Sequence, residues 1–173
     1  MDLMSSGFSK KPAPQGTKEL FETAFFLLNS KEYFQAYLIL KDAAAKEKTV
    51  FSLFNLALCF LAAGKPADAA ANLEEALNLC KKELSAGLEN KDSAASALED
   101  AENSAESYKA PLPYNTPALS NEYLKNKICR VLVDAYLLSG NKPKLESLVN
   151  NPGFAKYANV RAAAEKSRQT HER

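Results

Sequence analysis

The residues that could carry out chemistry are few in this chain, and they do not form a recognisable catalytic set. A serine or cysteine nucleophile needs a neighbouring base, most often a histidine. His171 is the only histidine and lies close to the carboxyl end. The acidic pair Glu74 and Glu75 is predicted to lie on a helix, where neighbours in sequence point apart. We therefore predict a protein with no catalytic residues and no enzymatic activity.

Binding sites for metals, phosphates and cofactors also lack their usual sequence signals. No pair of cysteines has the C-x-x-C spacing of a zinc site. The nearest match to a phosphate-binding loop, Gly64-Lys65, lies between two predicted helices. The three cysteines, an odd number, all lie in apolar helical patterns. They are typical of buried thiols in a reducing compartment, so we expect no metal, no cofactor and a cytoplasmic location.

The net charge and the hydropathy pattern of the chain argue against nucleic acid and membrane as partners. The net charge is +1, which gives no general attraction to nucleic acid. Residues 1–16 lack the apolar core of a secretory signal, and we predict no membrane insertion. Charge is uneven, since residues 83–106 carry seven acids against Lys91 alone, and residues 124–173 carry ten bases against four acids. Two solvated helix faces explain this pattern, as does a basic patch for an acidic partner.

The elements that would position any site are organised around the stretch from Phe51 to Leu79. From Phe51 to Ala63 only Ser52 and Asn55 are polar, which predicts a helix buried on more than one side. Gly64 is placed to end that helix, and Pro66 is suited to the first turn of the next one. The stretch therefore predicts a helix, a tight turn and a second helix.

An internal repeat extends this helix pair to the amino-terminal side. Small and large apolar residues recur at an offset of 33 residues, and self-similarity at this period indicates a helical solenoid. The matched positions are Leu20, Ala24, Leu27, Ala36, Leu40 and Ala43 in one pair and Leu53, Ala57, Phe60, Ala69, Leu73 and Ala76 in the next.

On these residues the chain resembles the tetratricopeptide repeat family. The resemblance implies an all-α, right-handed solenoid of helical hairpins, with about three helix pairs, an insertion and a capping helix. Two departures are Pro66, where an aromatic residue is usual, and the missing proline at the end of each repeat.

The chain divides into a short lead, one helical domain and a tail. Thr17 is a candidate N-cap for the first helix. The stretch 94–108 predicts a weak alanine-rich surface helix, and three prolines in 109–119 predict an extended linker. The predicted bounds are a flexible lead at 1–16, repeats at about 17–49, 50–83 and 126–151, an insertion at about 84–120, a capping helix at 154–168 and a tail at 169–173.

The resemblance also implies where a ligand would bind, because this family binds peptides in a concave groove lined by the first helix of each pair. Asn55 matches the asparagine with which many members hold a peptide backbone. The family's carboxylate clamp is disfavoured, since Phe21 and Phe25 replace its lysine and asparagine. The predicted groove residues are Phe21, Phe25, Leu28, Phe51, Phe54, Asn55, Leu58, Leu61, Lys127 and Arg130.

The function that follows is non-catalytic binding of a protein or peptide, as an adaptor or a chaperone. In size and groove character the chain looks like the small chaperones of type III secretion. The alternative is a structural module whose groove is filled by a second copy, forming a homodimer, or by its own proline-rich segment, residues 110–119.

Overall fold

The computed structural model describes residues 16–84, 97–98, 101, 106–114 and 121–169. These residues contain seven α-helices of eight or more residues and no strand, which confirms the all-α prediction. Two short 3-10 helices span Glu106–Lys109 and Pro152–Phe154. The α-helices are α1 (Thr17–Asn29), α2 (Tyr33–Lys46), α3 (Val50–Ala62), α4 (Pro66–Leu84), α5 (Asn121–Ser139), α6 (Lys142–Val149) and α7 (Ala158–Gln169).

Most helix ends follow the local signals in the sequence. Gly64 and Gly140 end α3 and α5 with φ of +69° and +71°, a conformation that costs a glycine little. Thr49 begins α3 through a capping box, in which its side chain and that of Ser52 each accept the other residue's backbone N–H. The prediction for Thr17 is wrong, because Gly16 is the N-cap of α1 and Thr17 is the first helical residue.

The last helix begins later than the predicted start at residue 154. Pro152–Phe154 forms a 3-10 turn, in which the Asn151 side chain accepts the backbone N–H of Gly153, and α7 starts at Ala158. Phe154 and Tyr157 are nevertheless buried, so the turn supplies core side chains without being α-helical. Of the predicted helix at 94–108, residues 97, 98 and 101 are α-helical and 106–108 belong to the first 3-10 helix. The rest of that stretch lies outside the described residues, as do most of the 1–16 lead and of the 169–173 tail.

Helices that are neighbours along the chain pack against each other. The order of packed helices runs from α1 through α2 and α3 to α4, and α4 packs directly on α5 although residues 85–120 lie between them in the chain. The last helix, α7, packs on both α5 and α6. The buried residues form two clusters, one built mainly from α1 and α2 and the other from α3 to α7. Helix α3 contributes to both clusters, since Leu56 and Cys59 face the first while Leu53 and Phe54 face the second.

The interface between α3 and α4 depends on small side chains. Ala57 and Ala69 are fully buried in the same cluster, whereas Ala71 is exposed on α4. Ala69→Leu should lower the free energy of unfolding by about 1–3 kcal/mol, because overfilling a packed site forces its neighbours apart. Ala71→Leu is the matched control and should leave stability within about 0.5 kcal/mol of the parent. Chemical denaturation of both variants measures this difference, and equal effects would contradict the packing described.

Candidate functional site

The ten residues predicted to line the groove are mostly buried rather than open to solvent. They lie on α1, α3 and α5. Three of them, Phe25, Phe51 and Leu61, are partly exposed. The buried ones are Phe21, Leu28, Phe54, Asn55, Leu58, Lys127 and Arg130.

Part of this burial comes from the chain's own residues 107–114, which we call the strap. The strap begins within the 3-10 helix Glu106–Lys109 and continues to Tyr114 without α-helix or strand. It touches predicted groove residues on all three helices: Phe21 on α1, Asn55 on α3, and Lys127 and Arg130 on α5. The residues predicted to line the groove are therefore covered in part by a segment of the same chain.

The centre of the strap is held by a reciprocal pair of hydrogen bonds. Asn55 Nδ2 donates to the carbonyl oxygen of Leu112 at 2.7 Å, and the backbone N–H of Leu112 donates to Asn55 Oδ1 at 2.8 Å. Both hydrogen bonds are buried, and only 2% of the Leu112 residue is exposed. One side chain thus satisfies both backbone groups of a residue that would otherwise be buried without partners.

The prolines around Leu112 explain why this residue is the one held. Pro111 and Pro113 have no backbone N–H, so Leu112 supplies the only donor in the Pro-Leu-Pro run. Ala110 and Leu112 each precede a proline, which favours extended backbone at both positions. The sequence therefore presents an extended backbone with a single amide donor, and Asn55 accepts it.

Tyr108 anchors the first end of the strap by contacts with residues of α5. Its hydroxyl donates to Asp134 Oδ2 at 2.6 Å, and its ring lies 4.0 Å from the guanidinium carbon of Arg130. The same guanidinium carbon lies 4.8 Å from the centre of the Tyr157 ring. Lys109 adds an ion pair with Asp134 at 3.1 Å. Aromatic rings near a guanidinium group stabilise a buried cation through cation–π attraction.

Lys127 brings a second buried positive charge to the same end. Its ammonium group donates to the Ser107 carbonyl oxygen at 3.1 Å and lies near the rings of Phe54 and Tyr123, at 6.0 and 5.6 Å. A buried cation is costly unless polar groups or aromatic faces replace its water. The strap supplies one of the oxygens that do so, through the main chain rather than a side chain.

Tyr114 anchors the second end of the strap by contact with Phe21 of α1. Its ring stacks on Phe21 with 4.9 Å between centroids and 10° between planes. The hydroxyl donates weakly to Glu47 Oε2 at 3.4 Å. Partial burial and the nearby Glu47 carboxylate raise the pKa of Tyr114, so the phenol stays neutral and remains a donor.

The structure brings together only part of the set that the sequence predicts. Phe21, Asn55, Lys127 and Arg130 contact the strap directly. Phe54 and Leu58 belong with Leu112 to the same buried cluster, whereas Phe25, Phe51 and Leu61 are partly exposed. The sequence analysis missed the strap's own Tyr108. It also missed Glu47, which accepts from the Tyr114 hydroxyl, and Asn159, which accepts from Arg130 Nε through Oδ1 at 3.1 Å. The available signal was a tyrosine on either side of the Pro-Leu-Pro run, three residues before it and directly after it.

The cysteines do not add a reactive group to this site. Cys59, Cys80 and Cys129 are buried thiols rather than disulfides. Burial raises the pKa of Cys59 to about 12, which keeps it protonated at neutral pH. Within the described ranges no cluster of metal-ligating side chains occurs. Among the helices described, none is both long and apolar enough to cross a bilayer.

Comparison of the chain with protein-family models, with curated proteins and with solved structures found no match in any of the three.

The hydrogen bonds between Asn55 and Leu112 give a first prediction for the site. Asn55→Ala should reduce the free energy of unfolding by about 1–3 kcal/mol, because the backbone groups of Leu112 lose their buried partners. Asn72→Ala is the control, since that side chain only donates to Asp68 on the surface of its own helix. Urea denaturation of both variants tests this. A loss no larger for Asn55 than for Asn72 would contradict the energetic role assigned to the pair.

Thiol accessibility provides a second prediction. In the native protein at pH 8, a disulfide reagent such as DTNB should react with none of the three cysteines on the timescale of free cysteine, because all three are buried. The guanidinium-denatured chain is the control and should release three equivalents. Rapid reaction of one native thiol would place that cysteine at an accessible surface.

Proposed function

We propose that this protein is a non-catalytic binding module for an extended protein or peptide segment. The segment binds in the groove between α1, α3 and α5. On this proposal the helix pairs form a repeat of the tetratricopeptide type, and the first helices of the pairs carry the binding residues. The protein acts as an adaptor or chaperone rather than as an enzyme.

The observation that carries the proposal is the pairing of Asn55 with the backbone of Leu112. A side-chain amide that bonds both the N–H and the C=O of one residue recognises an extended main chain, whatever side chain that residue carries. Around this pair, Phe21 offers an aromatic face at one end and Arg130 offers a cation at the other. The groove therefore combines main-chain recognition with separate side-chain contacts, as peptide-binding surfaces do.

A structural role is the second candidate, and the position of the strap favours it. Leu112 and Tyr108 belong to the buried cluster that joins α3 to α7, so the strap also contributes to the core. In a purely structural module the strap would be a permanent part of that core. Substitution of groove residues would then lower the free energy of unfolding, and no ligand binding would be affected.

Selection of a displayed library of short random peptides against the full chain tests the binding proposal. We expect enriched peptides that bind saturably and shift the NMR signal of the Asn55 side-chain amide. The Asn72 amide, on the outer surface of α4, is the internal control and should not move. Failure to enrich any peptide, or binding that leaves the Asn55 signal unchanged, would favour the structural role.

A further inference from the structure

We infer that the strap is a displaceable occupant of the groove, and that it competes with an external segment of the same chemistry. That segment is extended, with an aromatic residue, an aliphatic residue four positions later and a second aromatic residue two positions after that. This is the spacing of Tyr108, Leu112 and Tyr114. The inference rests on the proposed function and specifies the ligand and the regulation of the same groove.

The chemistry of the ligand follows from what the groove offers at each point. Arg130 and Asp134 together bind an aromatic ring that carries a hydroxyl group. The guanidinium group of Arg130 lies over the Tyr108 ring, and the Asp134 carboxylate accepts a hydrogen bond from the hydroxyl. Phe21 receives a flat ring by stacking, as it does with Tyr114. Lys127 receives a main-chain carbonyl oxygen just before the first aromatic residue.

The central position imposes the strictest requirement. Asn55 needs both an N–H and a C=O from one residue, so proline cannot bind there. The aliphatic side chain at that residue enters the core cluster, as the almost complete burial of Leu112 shows. A tyrosine–aliphatic–tyrosine segment with a free amide at its centre therefore fits the groove.

The contacts of the strap are suited to release as a unit. Leu112 and Tyr108 are deeply buried, while Lys109 and Ala110 between them are exposed and Tyr114 is only partly buried. The strap forms no sheet or α-helix with the groove, and its deeply buried residues are separated by exposed ones. A segment held by side chains at intervals can open locally, without unfolding of the whole domain.

The strap also has an advantage over a free ligand because it is tethered. Residues 85–106 and 115–120 join it to α4 and α5, which pack directly on each other. A tethered segment binds at an effective concentration on the order of millimolar. An external segment consequently has a weaker apparent affinity, because it binds only the fraction of molecules in which the groove is open.

A fluorescent peptide with the sequence of residues 106–115, ESYKAPLPYN, provides the test with the full chain. In the strap variant Tyr108→Ala/Tyr114→Ala, the anchors are lost while Leu112 remains. We expect it to bind the peptide at least about tenfold more tightly than the parent does, because more molecules have an open groove. The control variant is Phe26→Ala/Phe34→Ala, which removes two exposed rings outside the strap and should bind as the parent does.

Two further controls place the peptide in the groove. Adding Asn55→Ala to the strap variant should weaken binding at least about tenfold, since a buried backbone pair is lost. A peptide with proline at the position of Leu112 should lose binding to the same extent, because it has no N–H to donate. Insensitivity to both changes would mean that the peptide binds elsewhere, and would overturn the inference.

Hydrogen exchange on the unaltered chain tests displacement without any substitution. The Leu112 amide should exchange at least about a hundredfold faster than amides in the middle of α3, because the strap opens locally. Exchange of both at the same rate would mean that the strap opens only when the domain unfolds. That result would overturn the inference even if the strap variant failed to fold.

The outcomes separate this inference from the proposed function. If parent and strap variant bind the peptide equally tightly and both depend on Asn55, the groove is a receptor but the strap does not compete. If neither folded protein binds the peptide and the library selection also fails, both the inference and the proposed function fall.

Discussion

The side-chain amide of Asn55 is buried in the middle of α3, the most apolar of the described helices, and the strap satisfies it. An unpaired amide in such a place would cost more than most single contacts contribute. Leu112 supplies a matching donor and acceptor, and it can do so only if the chain between α4 and α5 returns across α3. The path of the strap, the closeness of α5 and the burial of Tyr108 are all compatible with that requirement.

The charges around the strap depend on the same arrangement. Lys127 and Arg130 are cations with only 4% of each residue exposed, and both lie where the strap meets α5. The Ser107 carbonyl and the Tyr108 ring replace part of the water that these groups have lost. The basic character of the carboxyl-terminal half therefore has two components. One belongs to the interior beside the strap, and the other is exposed to solvent, as Lys142 and Lys144 on α6 and Arg161 and Arg168 on α7 are.

How much could be predicted from the sequence depended on whether the signal was local. The helices could be located from local signals in the sequence. These were an apolar period of three to four residues, a glycine at the helix end and a proline at the first helical turn. Gly64 and Pro66 are examples that the structure bears out. The start of α7 was misplaced, because buried aromatic residues in a 3-10 turn share the spacing of a helix.

The site was harder to predict, because its contacts join distant parts of the chain. Asn55 was identified through a family resemblance, and residues 110–119 were named as one of several possible occupants. Nothing in the sequence could pair Asn55 with Leu112, 57 residues away, or Tyr108 with Asp134. Such pairings depend on how α5 packs on α4 after a long intervening stretch, and no periodicity encodes that geometry.

The direct packing of α4 on α5 has a consequence for how such a protein can evolve. Helix packing holds both ends of the stretch 85–120, so the length of that stretch outside the strap can vary while α4 and α5 stay packed. Each doubling of a connecting loop costs only about 0.6 kcal/mol in closure entropy. The strap is more constrained than the connections on either side of it, because Tyr108 and Leu112 pack into the core cluster and Leu112 pairs with Asn55. A longer or shorter connection on either side would leave both the helix packing and the seat of the strap in place.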